Sequence, residues 1–124
     1  MILVDSSIWI DHLRASQPEL TQMLAQGEVL CHPFVIGELA CGHLRRRAAL
    51  LEQLDALPLA PVATHDEALA TVHRHALYGS GIGWADVHLL SSTLLASPAL
   101  LWTRDKRLAL AAAKVGCLHQ ARLH

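Results

Sequence analysis

The chain has 124 residues, 52% of them hydrophobic, and a formal net charge of −1. This length suits one domain around one core, predicted to span 1–124. No apolar run approaches the roughly 20 residues that a membrane-spanning helix needs. Asp5 interrupts the apolar N-terminus, so we expect no secretory signal, no membrane partner and a cytoplasmic location. The near-neutral charge gives no support to nucleic-acid binding, which would have to rely on local basic patches.

In the first half of the chain, short apolar runs alternate with helical periodicities, a pattern typical of βαβ units. Gly27 is expected to end one helix, and Pro33 to open the next, where proline is tolerated in the first turn. The predicted elements are a strand at about 1–5, helices at about 7–13 and 18–25, a strand at 28–32, and helices at about 34–43 and 44–56.

The second half continues the same alternation. Pro58 and Pro61 bracket an apolar stretch near 59–63, predicted to be an edge strand. The elements that follow are helices at about 66–77 and 84–96, a strand at about 99–102, a helix at about 105–114 and a last edge strand at about 117–121. Short right-handed crossovers favour a parallel five-stranded sheet of order 3-2-1-4-5. Helices on both faces would make this a three-layer α/β/α domain.

Two acidic residues follow the predicted strands that meet at the centre of this sheet. Asp5 ends the first strand, and Asp105 follows the fourth by two residues. Ligands of open α/β sheets bind outside the strand ends at this point. Acids gathered there repel one another unless a cation neutralises them, and hard oxygen ligands suit Mg²⁺ or Mn²⁺. The pattern indicates metal-assisted hydrolysis of a phosphodiester.

Two further acids lie on predicted helices. Glu38 is surrounded by apolar neighbours, so it either emerges at the helix edge or points into a pocket, and we favour the pocket. Asp86 lies in the first turn of the 84–96 helix, where an acid also interacts favourably with the helix dipole. Asp5 and Asp105 have a similar alternative as helix caps. Taken together, the placement of the four favours a site.

Four segments, in this order, resemble the PIN-domain ribonucleases, and among them the VapC toxins of bacterial toxin–antitoxin pairs. No single segment is specific, but their order and spacing cover essentially the whole chain. The segments are Val4-Asp5-Ser6-Ser7-Ile8-Trp9, the helical Glu38, Gly83-Trp84-Ala85-Asp86-Val87-His88-Leu89-Leu90 and Leu101-Trp102-Thr103-Arg104-Asp105-Lys106-Arg107-Leu108.

The resemblance implies a function. It assigns Asp5, Glu38, Asp86 and Asp105 to Mg²⁺ or Mn²⁺ binding and catalysis. Ser7 and Thr103 match hydroxyl positions of the family's pocket that hold water or orient ligands. The implied activity is RNA hydrolysis by metal-activated water. The implied partners are a second copy of the chain and an antitoxin that covers the helices at about 7–13 and 34–56.

The remaining candidates concern RNA contact. Arg104, Lys106 and Arg107 flank Asp105 and are candidates for phosphate binding, with a solvated helix start as an equal alternative. The tryptophans Trp9, Trp84 and Trp102 are the right type to stack on bases. We expect Trp102 to be buried in its strand and Trp9 in a helix interface.

Two other function classes stay open from the sequence. One is a catalytically silent interaction module that keeps the PIN fold, against which the presence of all four acids argues. The other is a receiver-like signalling domain with an acidic Mg²⁺ pocket. A receiver would need an acceptor aspartate after the third strand, and His65-Asp66 is a poor substitute.

Overall fold

The computed structural model describes residues 1–121. Within this range, the sheet has three parallel strands: β1 (Ile2–Val4), β2 (Val29–Leu30) and β3 (Leu100–Trp102). The central strand is β1, with β2 on one side and β3 on the other. Because β1 and β3 run parallel side by side, the chain leaves both strands at the same edge of the sheet.

The prediction of five strands is wrong. The two expected edge segments each form a single parallel bridge, between Cys31 and Leu59 and between Leu101 and Leu118. At the first bridge, Pro58 and Pro61 lack the N–H groups that would extend the ladder. Both bridges lie where the order 3-2-1-4-5 puts its outer strands, so the order of the segments agrees while the outer two are too short to be strands.

Seven helices occur in residues 1–121, and they follow the predicted ones closely. There are two exceptions. The helix expected at 44–56 begins only at Arg47, after a turn at Arg45 and Arg46, and the helix expected at 66–77 ends at Arg74. None of the described helices is long and apolar enough to cross a membrane. The helices are α1 (Ser6–Arg14), α2 (Pro18–Ala25), α3 (Pro33–Cys41), α4 (Arg47–Asp55), α5 (His65–Arg74), α6 (Trp84–Leu95) and α7 (Lys106–Lys114).

The core covers both faces of the sheet. Leu3 and Val4 are successive residues of β1, so their side chains point to opposite faces, and both are fully buried. Leu101 and Trp102 of β3 are buried in the same way. This double burial is the physical basis of the predicted three-layer architecture. It also leaves the strand ends, rather than the sheet faces, as the place where polar side chains meet solvent.

Candidate active site

Asp5 is anchored where β1 ends. Its backbone N–H donates to the carbonyl of Trp102 at 3.0 Å, which joins it to the end of β3. The hydroxyls of Ser7 and Thr103 both donate to its Oδ2, at 2.8 and 2.7 Å. Asp5 occupies the N-cap position of α1, yet its side chain makes no capping hydrogen bond. The carboxylate is only 6% exposed and is held by hydroxyls from two segments, so capping does not account for it.

Ser7 and Thr103 also tie the end of β1 to the turn that follows β3. The Thr103 hydroxyl accepts from the backbone N–H of Asp105 at 3.1 Å. The Ser7 hydroxyl accepts from the backbone N–H of Arg104 at 3.0 Å. Each hydroxyl therefore donates a hydrogen bond to Asp5 and accepts one from a backbone N–H group of the turn. This arrangement fixes the two sheet-borne acids relative to one another.

Asp105 caps α7. Its Oδ1 accepts from the backbone N–H groups of Arg107 and Leu108 at 2.9 and 3.0 Å. The capping alternative is thus correct for this residue. The same bonds orient the carboxylate, and they engage only one of its two oxygens.

Glu38 is exposed on α3, so the concern about an unpartnered buried glutamate does not arise. Its Oε2 accepts a 2.7 Å hydrogen bond from the hydroxyl of Ser6, the first residue of α1. The same hydroxyl lies 3.5 Å from Oδ1 of Asp5. Ser6 therefore bridges two of the predicted acids, a role that the sequence analysis missed. The one available signal was its position directly after Asp5.

Asp86 connects the four acids electrostatically. It is half-buried in the first turn of α6, and loss of solvation raises the pKa of its carboxyl group. The negative charges of Asp5, Asp105 and Glu38 raise this pKa further, against a backbone hydrogen bond with Gly83 that lowers it. Asp86 is therefore within electrostatic reach of the other three acids, and the structure brings the predicted quartet to one site.

The donor set fits a hard divalent cation. Within residues 1–121, no three His, Cys, Asp or Glu side chains form a ready-made metal-binding group. Carboxylates that repel one another, as the raised pKa of Asp86 indicates, would be stabilised by a bound cation. Carboxylate oxygens are the ligands that suit Mg²⁺ and Mn²⁺. The residues present are chemically suited to such an ion.

The basic residues around Asp105 have different surroundings. The Arg104 guanidinium forms an ion pair with Asp11 at 2.8 Å and contacts Gln17 at 3.4 Å. Arg107 lies over Gly81, where a Cβ atom would be only 3.0 Å from the arginine Cδ. Lys106 is exposed at the start of α7. Contact of these three with RNA stays a prediction.

The three tryptophans separate by exposure. Trp9 and Trp102 are buried, as predicted, with exposed fractions of 0% and 4%. Trp84 is 42% exposed and lies two residues before Asp86. It is thus the tryptophan that solvent, or a ligand, reaches beside the acids.

Comparison with known proteins agrees with this geometry. A family model described as the PIN domain matches residues 2–114. The chain belongs to the PIN domain family. Two proteins named Ribonuclease VapC32, from two strains of Mycobacterium tuberculosis, are each 50% identical to it over 116 residues, which is 94% of this chain and 94% of theirs. The predicted VapC-like PIN membership is confirmed.

A solved structure shows the fold independently. The crystal structure of PAE2754 from Pyrobaculum aerophilum superimposes with a TM-score of 0.60 and covers 91% of this chain and 80% of its own. Its sequence identity is 15%, so the likeness bears on the fold alone. Membership of the PIN family decides against the receiver-like alternative.

Proposed function

We propose that this PIN domain is a Mg²⁺-dependent endoribonuclease toxin that a cognate antitoxin inhibits. The observation that carries the proposal is the convergence of Asp5, Glu38 and Asp105 on Asp86. The charges of these three acids raise the pKa of the Asp86 carboxyl group. The 50% identity to proteins named Ribonuclease VapC32 supports RNA as the substrate. Mn²⁺ is an alternative ion for the same oxygen ligands.

The four carboxylates would hold the ion. Asp5 and Asp105 follow adjacent strands, and hydroxyl and backbone donors orient them. Glu38 and Asp86, carried by α3 and α6, complete the ligand set from the facing helices. When bound, the ion supplies an activated water and neutralises charge on the phosphate.

Phosphate contact belongs to the start of α7. Lys106 is exposed there, and Arg107 is held against the loop that leads into α6. Arg104 would have to exchange its ion pair with Asp11 for one with RNA. We therefore expect Lys106 and Arg107 to contribute more to RNA affinity than Arg104.

The antitoxin surface lies on α1 and the segment that contains α4. Two adjoining cavities there, of about 430 and 420 Å³, share Leu13 and Arg45 among their lining residues. Arg14 and Arg46 add positive charge at these cavities. This surface suits an antitoxin segment with apolar and acidic side chains. The homodimer and the cytoplasmic location are proposed from the kinship with VapC proteins.

The test is RNA cleavage by the purified protein with Mg²⁺, with EDTA, and with Mg²⁺ restored in excess. We expect cleavage only in the first and third conditions. Asp5→Asn should lower the rate at least about 100-fold, because removing even an outer partner of a metal ligand costs 10- to 100-fold. Asp55→Asn, an exposed acid at the end of α4, is the matched control and should cleave like the wild type.

Equal cleavage by the Asp5→Asn preparation, or cleavage that EDTA leaves unchanged, would refute the proposed mechanism. Absence of cleavage by the wild type in Mg²⁺ would favour the silent interaction module. Circular dichroism of each variant separates loss of activity from loss of fold. Co-expression with the neighbouring gene product, with growth as the readout, tests the antitoxin.

A further inference from the structure

A group of aromatic rings adjoins the carboxylates. The rings of Phe34 and Trp84, on α3 and α6, both lie against the ring of His88, each with a centroid separation of 4.9 Å. Phe34 is 37% exposed and Trp84 is 42% exposed, whereas His88 is buried between them. We call Phe34, Trp84 and His88 the aromatic shelf. It presents two partly exposed ring systems.

Two further histidine rings contact the shelf. His65 of α5 lies 5.2 Å from Trp84, between ring centroids, and His32 lies 5.1 Å from Phe34. His32 is fully buried and hydrogen-bonded, with its Nε2 at 3.0 Å from the Ser92 hydroxyl and its Nδ1 accepting from the Phe34 N–H. Rings that are already held in place lose little conformational entropy when a ligand contacts them.

The shelf adjoins the carboxylate site through Phe34. Phe34 lies one helical turn before Glu38, on the same side of α3, whereas Trp84 shares the first turn of α6 with Asp86 but points to a different side of that helix. A cavity of about 480 Å³ is bordered by both Phe34 and Glu38, within the size range of small-molecule sites. Its lining is completed by Pro33, Gly37, Cys41 and Ala85. Whatever occupies this cavity lies directly beside the acids.

We propose that the aromatic shelf and its cavity bind one unpaired nucleobase of the RNA, next to the phosphate at the carboxylates. This inference rests on the proposed nuclease function and adds a base-binding position beside the carboxylates to it. The described lining residues carry no positive charge, and Glu38 would repel a phosphate. The uncharged, flat base is the part of RNA that matches exposed aromatic rings. A base inside a duplex is stacked on both faces and cannot reach the shelf.

Oligonucleotide binding tests the proposal directly. The probes are hexaadenylate, hexauridylate and an abasic ribose–phosphate backbone of the same length, added with Mg²⁺ to Asp5→Asn protein so that no cleavage occurs. Both hexanucleotides should quench tryptophan fluorescence, because Trp84 is the exposed tryptophan, while the abasic backbone should not. Adding Trp84→Ala should raise the Kd of the hexanucleotides about 5- to 150-fold and leave that of the abasic backbone unchanged, with each Kd measured by fluorescence anisotropy of end-labelled probes because this variant lacks Trp84.

Two variants control for fold and specificity. Trp84→Phe keeps an aromatic face and should retain most of the affinity. Leu95→Ala removes an exposed apolar side chain at the other end of α6, about 13 Å along the helix from Asp86, and should bind like its parent. If Trp84→Ala fails to fold, Phe34→Leu is measured in its place and should weaken the same probes.

The outcomes separate the shelf from the nuclease. If Trp84→Ala loses affinity equally for the hexanucleotides and for the abasic backbone, the stacking proposal is overturned. It is also overturned by unchanged oligonucleotide binding by Trp84→Ala together with a shift from dimer to monomer in sedimentation, which would make the shelf a protein interface. If quenching depends on the bases but the wild type does not cleave RNA, the shelf binds a nucleobase and the proposed nuclease function is rejected. Wild-type cleavage with a KM that Trp84→Ala leaves unchanged would reject only the shelf.

Discussion

The carboxylate site and the aromatic shelf are neighbours, yet opposite forces govern them. At the carboxylate site like charges oppose one another, and loss of solvation and the three other acids raise the pKa of Asp86. At the shelf neutral rings pack on one another, and burial lowers the pKa of His32 and of His88. The first region therefore retains a repulsion that a cation would relieve, whereas the second is held by contacts between neutral rings. Metal and pH should act on the two in different directions.

Among residues that do not themselves hold the ion, Thr103 should have the strongest influence on Mg²⁺ binding, because its hydroxyl serves only the carboxylate site. Thr103→Val removes the donor to Asp5 and the acceptor for the Asp105 N–H, while the side chain keeps its shape. Loss of such a partner should lower Mg²⁺ affinity about 10- to 100-fold, measured by the Mg²⁺ dependence of RNA cleavage. Quenching of Trp84 by hexaadenylate should not change.

Thr103→Ser is the matched control, since it keeps the hydroxyl and should restore most of the Mg²⁺ affinity. If the valine and serine variants need equal amounts of Mg²⁺, the hydroxyl does not orient the acids. If the valine variant also loses base-dependent quenching, the two regions are not independent.

The second prediction concerns the shelf in acid. Burial lowers the pKa of His32 from 6.5 to about 4, with the charge of His88 as a smaller cause. Below pH 6.5, His32 therefore takes up a proton in the unfolded chain. In the folded chain it does so only below about pH 4. Stability from neutral His32 is complete above pH 6.5 and declines as the pH falls, by about 2 kcal/mol at pH 5.

Urea unfolding at pH 7.5 and pH 5.0 checks this decline. His32→Gln cannot take up the proton, so it should lose about 2 kcal/mol less than the wild type between the two pH values. His73→Gln, with an exposed side chain on α5, is the control and should follow the wild type. Equal losses in His32→Gln and wild type would mean that the shelf does not depend on a neutral His32.

The weakest of these effects should come from Asp86. Its test is whether the free energy of unfolding rises or falls. Its raised pKa means that the folded state binds this proton more tightly than the unfolded state, so its contribution to stability falls as the pH rises. Asp86→Asn should therefore raise the free energy of unfolding at pH 7.5 in EDTA. Added Mg²⁺ should stabilise the wild type and have less effect on this variant.

Asp66→Asn provides the contrasting control. Asp66 lies in the first turn of α5, so removing its charge should destabilise the protein slightly through the helix dipole. If Asp86→Asn destabilises in the same way, Asp86 is an ordinary first-turn acid, and the repulsion at the carboxylate site is refuted.

Much of the fold could be predicted because its signals are local. The apolar runs at β1 and β3 and the periodicity of the helices lie in contiguous sequence, and so do the proline and glycine positions at their ends. Asp5 and Asp105 were predictable as neighbours because each follows a strand of a parallel pair. The number of strands was not, because an edge segment becomes a strand only if it keeps bonding to its neighbour beyond one bridge.

The details of the site depended on contacts between distant residues. Ser6 and Glu38 are 32 residues apart, and Thr103 and Asp5 are 98 apart, so no local pattern records their hydrogen bonds. The pairing of Arg104 with Asp11 and the approach of Trp84 to His88 likewise depend on how the helices pack.

The residue types of the site and the element that carries each one could be predicted from the sequence, because hydrophobic periodicity and strand-end position are local properties of the chain. The hydroxyls that hold the oxygens of Asp5 and the pairing of Arg104 with Asp11 are visible only in the folded protein. Those properties arise from distances between elements, and distances are set by packing.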